Sequence, residues 1–294
     1  MIATPAFSGR VLVTGAHGQL GRELSATCPE GVRLCVHDID TLDITDAEAV
    51  ARAVGRFAPE VIINAAAYTA VDKAQSDAER AQAVNAEAVA HLAQAAYVEG
   101  ARLVQVSTDF VFDGQQGRPY RPEDAAAPLG VYGQTKYEGE CAALDILGEQ
   151  ALIVRTAWVY SQYGQNFVKT MLRLMSEREH LGVVADQVGT PTWARGLAQA
   201  LWQAVALKLS GRHHWTDAGV ASWYDFALAI RDEALARGLL ERSIPVHPLR
   251  TEDYPTPARR PSYSVLDKTA TWAALGVTPV HWRESLRAML AQLP

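Results

Sequence analysis

An α/β fold is predicted for this 294-residue chain: a doubly wound parallel sheet followed by a smaller C-terminal α/β lobe. Three observations predict it. Five short runs rich in Val, Ile and Leu recur along the first 160 residues, each separated from the next by a stretch of helical pattern. The runs are continuous rather than alternating, as expected of strands buried on both faces of a helix-covered parallel sheet. The first run ends in a glycine-rich turn that opens a helix. With right-handed crossovers, such an order gives a sheet wound in both directions.

The elements follow in order. Residues 10–15 (RVLVTG), 32–38 (VRLCVHD), 61–67 (VIINAAA), 102–108 (RLVQVST) and 151–160 (ALIVRTAWVY) read as strands, the third beginning just after the breaker Pro59. Helical pattern covers 19–27, 46–57, 76–99 and 133–148. The second half is less regular. A helix is expected over 165–179, and the turn-rich ADQVGTPTW (185–193) leads into another that ends near Lys208. Ser222 and Asp225 form a capping-box pattern that opens a helix to about Arg237. The Pro-rich, polar stretch 247–267 reads as a loop, and a last helix follows His281. The boundary is expected near 157. Residues 1–157 form the sheet domain and 158–294 mainly the second lobe, with some segments returning to the sheet.

Bulk properties exclude several classes. Hydrophobic residues make up 49% and charged residues 20%, the balance of a water-soluble globular protein. A net charge of -6 argues against nucleic acid as a partner. No run of about 18 apolar residues exists to span a membrane. The opening MIATPAFSGR lacks the apolar core of a signal peptide. Cys28, Cys35 and Cys141 are odd in number and form no CxxC, which argues against a disulfide framework. A cytoplasmic protein is expected. None of the eight histidines sits in a ligand array, and the adjacent His213 and His214 would point to opposite faces of a strand. No metal ligand is assigned.

The glycine turn points to a ligand. Gly15, Gly18 and Gly21 are spaced GxxGxxG between a strand and a helix, the context a dinucleotide-binding (Rossmann) loop requires. Gly15 permits the tight turn. Gly18 lets the backbone approach a pyrophosphate, and Gly21 lets helix pack close on strand. The helix N-terminus offers free N–H groups and the positive end of its dipole to phosphates. Asp38, at the end of the second strand, is placed to bind the ribose hydroxyls, and its carboxylate would repel the 2′-phosphate of NADP. That favours NADH without excluding NADPH. Asp43 and Ile44 lie slightly further on, where they could flank the adenine.

A second signal is Tyr132-x-x-x-Lys136 in VYGQTKYEGE. The spacing puts both side chains on one helix face, whereas Tyr137 points about 100° away. Free tyrosine, with a pKa of about 10, exchanges protons poorly at neutral pH. A neighbouring ammonium and an oxidised nicotinamide would stabilise tyrosinate and lower that value. By chance alone a Tyr/Lys pair in a helix means little; a cofactor loop upstream gives it a reaction.

Taken together, VTGAHGQLG, INAAAYTAVDKAQSD, VQVSTDFVFDG, VYGQTKYEGE, IVRTAWVYS, ADQVGTPTWARGLA and RRPSYSVLD resemble the dTDP-4-dehydrorhamnose reductase family, within the extended short-chain dehydrogenase/reductases. The resemblance runs from about residue 10 to 290. It implies reduction of the 4-keto group of dTDP-4-dehydro-β-L-rhamnose by NADH or NADPH, giving the dTDP-β-L-rhamnose used for bacterial surface polysaccharide. It implies a pyrophosphate loop of Gly15, Gly18, Gln19, Leu20 and Gly21, and adenosine contacts from Asp38, Asp43 and Ile44. Ala66, Ala67, Tyr68 and Thr69 would lie beside the cofactor at the end of the third strand, with Thr69 reaching the substrate. Thr108, Tyr132 and Lys136 match the catalytic triad, and Asp109 and Trp158 match positions near the sugar. The family includes magnesium-bridged dimers, but no carboxylate here is assigned to Mg2+. The chain is expected to be a monomer or a homodimer that takes a dTDP-sugar.

Alternatives stand beside this reading. Ser107 rivals Thr108 as the hydroxyl that polarises the ketone, although the separation of Thr108 from Tyr132 fits the family better. Trp158 could be core packing. Arg259 and Arg260 could clamp a diphosphate or simply face water. A nucleotide-sugar dehydratase of this fold would carry Thr-Asp-Glu, whereas this chain has Thr108-Asp109-Phe110 and lacks the second carboxylate. An epimerase would keep the same Tyr/Lys pair. From a different class, a regulatory subunit could bind dinucleotide without turnover.

Overall fold

The computed structural model describes residues 7–293. Positions 1–6, part of the segment read above as lacking a leader, lie outside them.

Strand β1 (Arg10–Thr14) runs into helix α1 (Gln19–Ala26), followed by β2 (Arg33–His37), α2 (Ala47–Phe57) and β3 (Val61–Asn64). Short helices α3 (Val71–Ala74) and α4 (Ala78–Gln82) come next, then a wide π-turn at Ala83–Glu87 and α5 (Ala88–Glu99). β4 (Arg102–Thr108), α6 (Val131–Leu147), β5 (Ala151–Thr156) and the short β6 (Val159–Tyr160) complete the first half. The second half holds α7 (Phe167–Glu177), β7 (Leu181–Val184), β8 (Val188–Gly189), β9 (Thr192–Trp193) and α8 (Ala194–Ala206). It continues through β10 (Gly211–His214), β11 (Ala221–Ser222), α9 (Trp223–Ala236), β12 (Val246–Leu249), α10 (Thr269–Leu275) and α11 (Trp282–Leu290).

Six strands form one parallel sheet in the order β10-β5-β4-β3-β1-β2. The order reverses between β1 and β3, so the crevice at their carboxyl ends is where such a sheet takes a ligand. The four inner strands bury both faces. Leu12, Ile62, Leu103 and Ile153 pack with Val50, Val54, Leu92 and Leu147 from α2, α5 and α6. Val11, Val13, Ile63, Val104 and Val154 pack instead with Leu20, Leu24, Leu197 and Leu201 from α1 and α8. The predicted parallel α/β sheet is therefore what forms, and β10 from beyond residue 158 joins its edge.

A separate core holds the second lobe together, with Met171, Met175, Phe226, Ile230, Leu286 and Met289 at its centre. Here α7, α9 and α11 pack around the parallel pair β7–β12. The capping box at the start of α9 is present: Ser222 Oγ accepts from Asp225 N at 3.0 Å, and Ser222 N donates to the Asp225 carboxylate at 2.9 Å.

Three expectations change. The 151–160 run is not one strand. It breaks at Trp158, whose φ of 50° lies in the left-handed region, and its tail pairs with β9 in the second lobe. The helix expected over 76–99 is divided by the π-turn, where an extra residue is accommodated beside α6. Residues 247–267 are not all loop, since β12 occupies their start. Helix α10 was not expected; its seven residues, TATWAAL, carry two threonines and a weak helical pattern.

Candidate active site

The glycine loop is shaped by contact. Gly15 has φ +74°, and a Cβ there would lie 2.5 Å from Ala66 N, so the turn presses directly on the end of β3. A Cβ on Gly21 would strike Gly15 O at 2.2 Å, which accounts for glycine in the first turn of α1. Gly18 caps α1, and no side chain satisfies the helix's first-turn amides. This backbone therefore fits a pyrophosphate, through close approach and through free donors at a helix N-terminus.

Two cavities open from the loop. One of about 370 Å³ is lined by Gly15, Gly18, Asp38, Asp43, Ile44, Ala66, Ala67 and Tyr68. Asp38 Oδ2 accepts from His17 N at 2.6 Å and Oδ1 from Ile39 N at 2.8 Å, so loop and carboxylate hold each other. Asp43 is pulled below the usual carboxylate range by hydrogen bonds from Thr45, with Arg80 adding attraction. Arg80 lines the same cavity and escaped the sequence reading, because it lay inside what looked like one long helix. Beside it the π-turn carries Asn85, whose amide clasps both the N–H and the carbonyl of Tyr68 at 2.9 and 3.1 Å.

The other cavity, about 510 Å³, shares Gly18 and Ala67 with the first and is lined by Gln19, Leu20, Thr69, Thr108, Asp109, Tyr132, Lys136 and Trp158. Every site residue expected from the sequence except Gly21 thus lines one of these two joined spaces. Gln19 is also tied to the second lobe, accepting from Asn166 Nδ2 at 2.9 Å.

The polar groups of this cavity sit where β4 ends against α6. A Cβ on Gly133 would come within 2.1 Å of Phe110 O, so the helix lies directly on the backbone that follows Thr108. Thr108 Oγ1 donates to Asp109 Oδ1 at 3.1 Å and accepts from Phe110 N at 3.2 Å. Tyr132 packs edge-on against Phe110, ring centroids 5.5 Å apart. Burial pushes its phenol up to about 12; the hydrogen bond with Thr108 pulls down and the Asp109 charge pushes up. Lys136 is 3% exposed and donates from Nζ to Val106 O at 2.7 Å. Burial draws its ammonium down to about 8, against the opposing pull of Glu140. The phenol is held protonated, and Thr108 rather than Lys136 is the neighbour that pulls it down.

Contacts bear on two alternatives. Ser107 also lines the cavity but gives its hydroxyl to Glu140 at 2.5 Å, whereas Thr108 Oγ1 is engaged with its neighbours Asp109 and Phe110. Asp109 is 2% exposed, and burial raises its carboxyl to about 6. It lies behind Thr108 more than in the open cavity. Trp158 lines the cavity and stacks on Trp223 of the second lobe, centroids 3.6 Å apart and planes within 8°. Gly189 makes room for it, since a Cβ there would lie 2.6 Å from the indole. The left-handed backbone at a bulky residue is strain held by packing, as is common where a site is built.

Arg260 joins the cavity wall to an apolar space of about 320 Å³ in the second lobe, lined by Phe167, Met171, Leu174, Val183 and Trp223. Its guanidinium is set by Asp72, with Nη1–Oδ1 3.1 Å and Nη2–Oδ2 2.7 Å. Arg259 lines none of these spaces. Among the described residues, the one cluster with metal-ligand spacing is His17, Asp38 and Asp40, exposed at the rim of the first cavity. His17 would offer nitrogen, whereas Mg2+ prefers oxygen ligands in strict octahedral geometry, so this set does not fit magnesium. No described helix is long and apolar enough to cross a membrane.

Known proteins match the chain along nearly its whole length. Residues 9–294 match the family model described as RmlD substrate binding domain. The chain is 43% identical over 290 residues to a dTDP-4-dehydrorhamnose reductase of Aggregatibacter actinomycetemcomitans, covering 96% of this chain and 98% of that one. It is similar in structure to a dTDP-4-dehydrorhamnose reductase of Clostridium acetobutylicum, with TM-score 0.90, 40% identity, and coverage of 96% and 98%. It is also similar to the Bacillus anthracis dTDP-4-dehydrorhamnose reductase in complex with NADP, with TM-score 0.92, 36% identity, and coverage of 97% and 100%. By sequence along nearly its whole length and by fold, this chain belongs to the dTDP-4-dehydrorhamnose reductase family.

Proposed function

We propose that the protein reduces the 4-keto group of dTDP-4-dehydro-β-L-rhamnose to give dTDP-β-L-rhamnose, using NADH or NADPH. One observation carries the reading: Thr108, Tyr132 and Lys136 line the same cavity as Gly18, Gln19 and Leu20 of the glycine loop. Proton donor and dinucleotide loop therefore share one space. The family membership and the NADP bound by the Bacillus anthracis relative support the substrate and the cofactor class.

A reduced nicotinamide, when bound, supplies the hydride. The chain's own residues do the rest. Tyr132, held protonated, gives its phenolic proton to the oxygen that gains charge at C4. Thr108 turns its hydroxyl from Asp109 toward the same oxygen and stabilises it as it forms. Lys136, charged and anchored on Val106 O, places a positive charge beside the phenolate left behind and holds the cofactor's ribose. Arg260 uses its Nη1/Nη2 edge on Asp72, leaving the Nε side for the substrate's diphosphate. The apolar space beyond it takes the nucleoside.

The direct test is oxidation of NADH and NADPH with dTDP-4-dehydrorhamnose. Consumption at background level, with cofactor bound, would turn the reading toward a binding protein. The same assay gives a pH profile. Lys136 must stay protonated, so turnover is expected to fall as pH rises through about 8. A profile flat to pH 10 would remove the ammonium from the mechanism. Cofactor choice is expected to follow Asp38. Its fixed carboxylate faces the space where a 2′-phosphate would sit, with Arg80 in the same cavity. Asp38→Ala should raise the NADPH/NADH ratio of kcat/KM about tenfold, equivalent to ~1.4 kcal/mol, and Arg80→Ala should lower it. An unchanged ratio in both variants would remove these residues from the ribose site.

A further inference from the structure

We propose that Glu140 is a positioning residue for the reduction: bound to Ser107 and Arg155, its carboxylate holds α6 in register with the end of β4 and sets the charge beside Lys136. The proposal rests on the role given above to Lys136.

The end of β4 is laced to one face of α6. Three consecutive strand residues meet three helix residues at four-residue steps. Thr108 and Tyr132 line one cavity wall, Val106 O accepts from Lys136 Nζ at 2.7 Å, and Ser107 Oγ donates to Glu140 Oε1 at 2.5 Å. Steps of four keep 132, 136 and 140 on the same side of the helix. The tie at Ser107 is the only one of the three whose partners take no part in the reaction. Glu140 has no exposed surface and Arg155 is 1% exposed. Arg155 lies beside Ser107 in the adjacent strand and grips Glu140 with Nε–Oε1 2.9 Å and Nη2–Oε2 2.7 Å. It is held in turn by Pro122 O and the face of Phe112.

Stability alone is a poor account of this pair. Replacing a buried ion pair with well-packed apolar residues is often neutral or stabilising. A carboxylate in this place does what an apolar side chain would not: it fixes a hydroxyl on β4, and it puts negative charge one turn from the working ammonium. The other ionisable groups around the pair come from every neighbouring element. They are Tyr132, Tyr137 and Cys141 on α6, Asp109 after β4, Arg155 on β5, and Arg212 on β10 with Nε 3.6 Å from Glu140 Oε2.

The test separates lacing from field. Ser107→Ala leaves the ion pair intact and removes only the tie. It should lower kcat about tenfold with KM for both substrates within twofold, and the alkaline limb should stay in place. Glu140→Gln removes the negative charge and leaves Arg155 positive. The ammonium of Lys136 then loses its proton more readily, so the alkaline limb should move to lower pH by about one unit. A packing role would lower turnover at every pH without moving the limb. An unmoved limb in folded Glu140→Gln, or wild-type kcat in Ser107→Ala, overturns the proposal. Should Glu140→Gln fail to fold, the split in Ser107→Ala decides: kcat lowered with both KM values unchanged supports the proposal, whereas wild-type kcat, or KM rising together with the loss, overturns it. Lys136→Met keeps the underlying reading separate: if it retains turnover, the role of Lys136 fails, whereas a dead Lys136→Met with an unmoved Glu140→Gln limb sinks this proposal only.

Discussion

Tyr132→Phe is expected to lower turnover on the order of a hundredfold or more, the scale of a lost general acid, while Tyr137→Phe stays within twofold of wild type. The substitution removes one oxygen and leaves the ring in its edge-on contact with Phe110, so binding and folding should hold. KM for the nucleotide sugar should change little. Tyr137 is a strong control. It is five residues away on the same helix, yet its ring packs with Val111, Phe112 and Tyr120. It is absent from the walls of both cavities. Steady-state kinetics on the two purified variants checks the assignment. Equal loss in both would mean that the proton donor has been misplaced.

The second large effect is on stability. Arg155→Met should cost about 3–5 kcal/mol, the scale for breaking a buried pair and stranding one charge. Glu140 would remain with no exposed surface, a hydrogen bond from Ser107, and only the more distant Arg212 and Lys136 as counter-charges. Glu140→Gln combined with Arg155→Met removes both charges and should recover most of the loss. Urea midpoints of the single and double variants, compared at constant slope, measure the coupling. A double variant no more stable than Arg155→Met alone would show that shape rather than charge is at stake.

These two cases also show how far the sequence could be read. Tyr132 and Lys136 were legible because their chemistry depends on a local spacing and on a glycine loop with its own signature. The parallel sheet was legible for a similar reason, since its strands carry continuous Val/Ile/Leu runs that bury on both faces. Glu140 and Arg155 were not legible. Their meeting depends on the pairing of β5 with β4, and no local pattern marks a glutamate in mid-helix as buried. Arg80 was hidden by the π-turn, which re-aims the helix by one residue without altering its composition. The break at Trp158 was hidden as well, because AWVY continues an apolar run that ends only through contact with the second lobe. Even within the legible pair, the direction of the Tyr132 pKa depended on burial that spacing does not reveal.

The indole stack at the mouth of the cavity has an optical consequence. Trp158 follows the last long strand of the sheet and Trp223 opens α9, and their rings lie parallel 3.6 Å apart against the core of the second lobe. Both also line the larger cavity. Indoles so close couple electronically, so the emission of the pair depends on the spacing of the rings. Any ligand that wedges between them, or shifts one against the other, changes the signal in unlabelled protein. The chain thus carries its own reporter in the cavity wall, and a stopped-flow trace could time substrate entry without a dye.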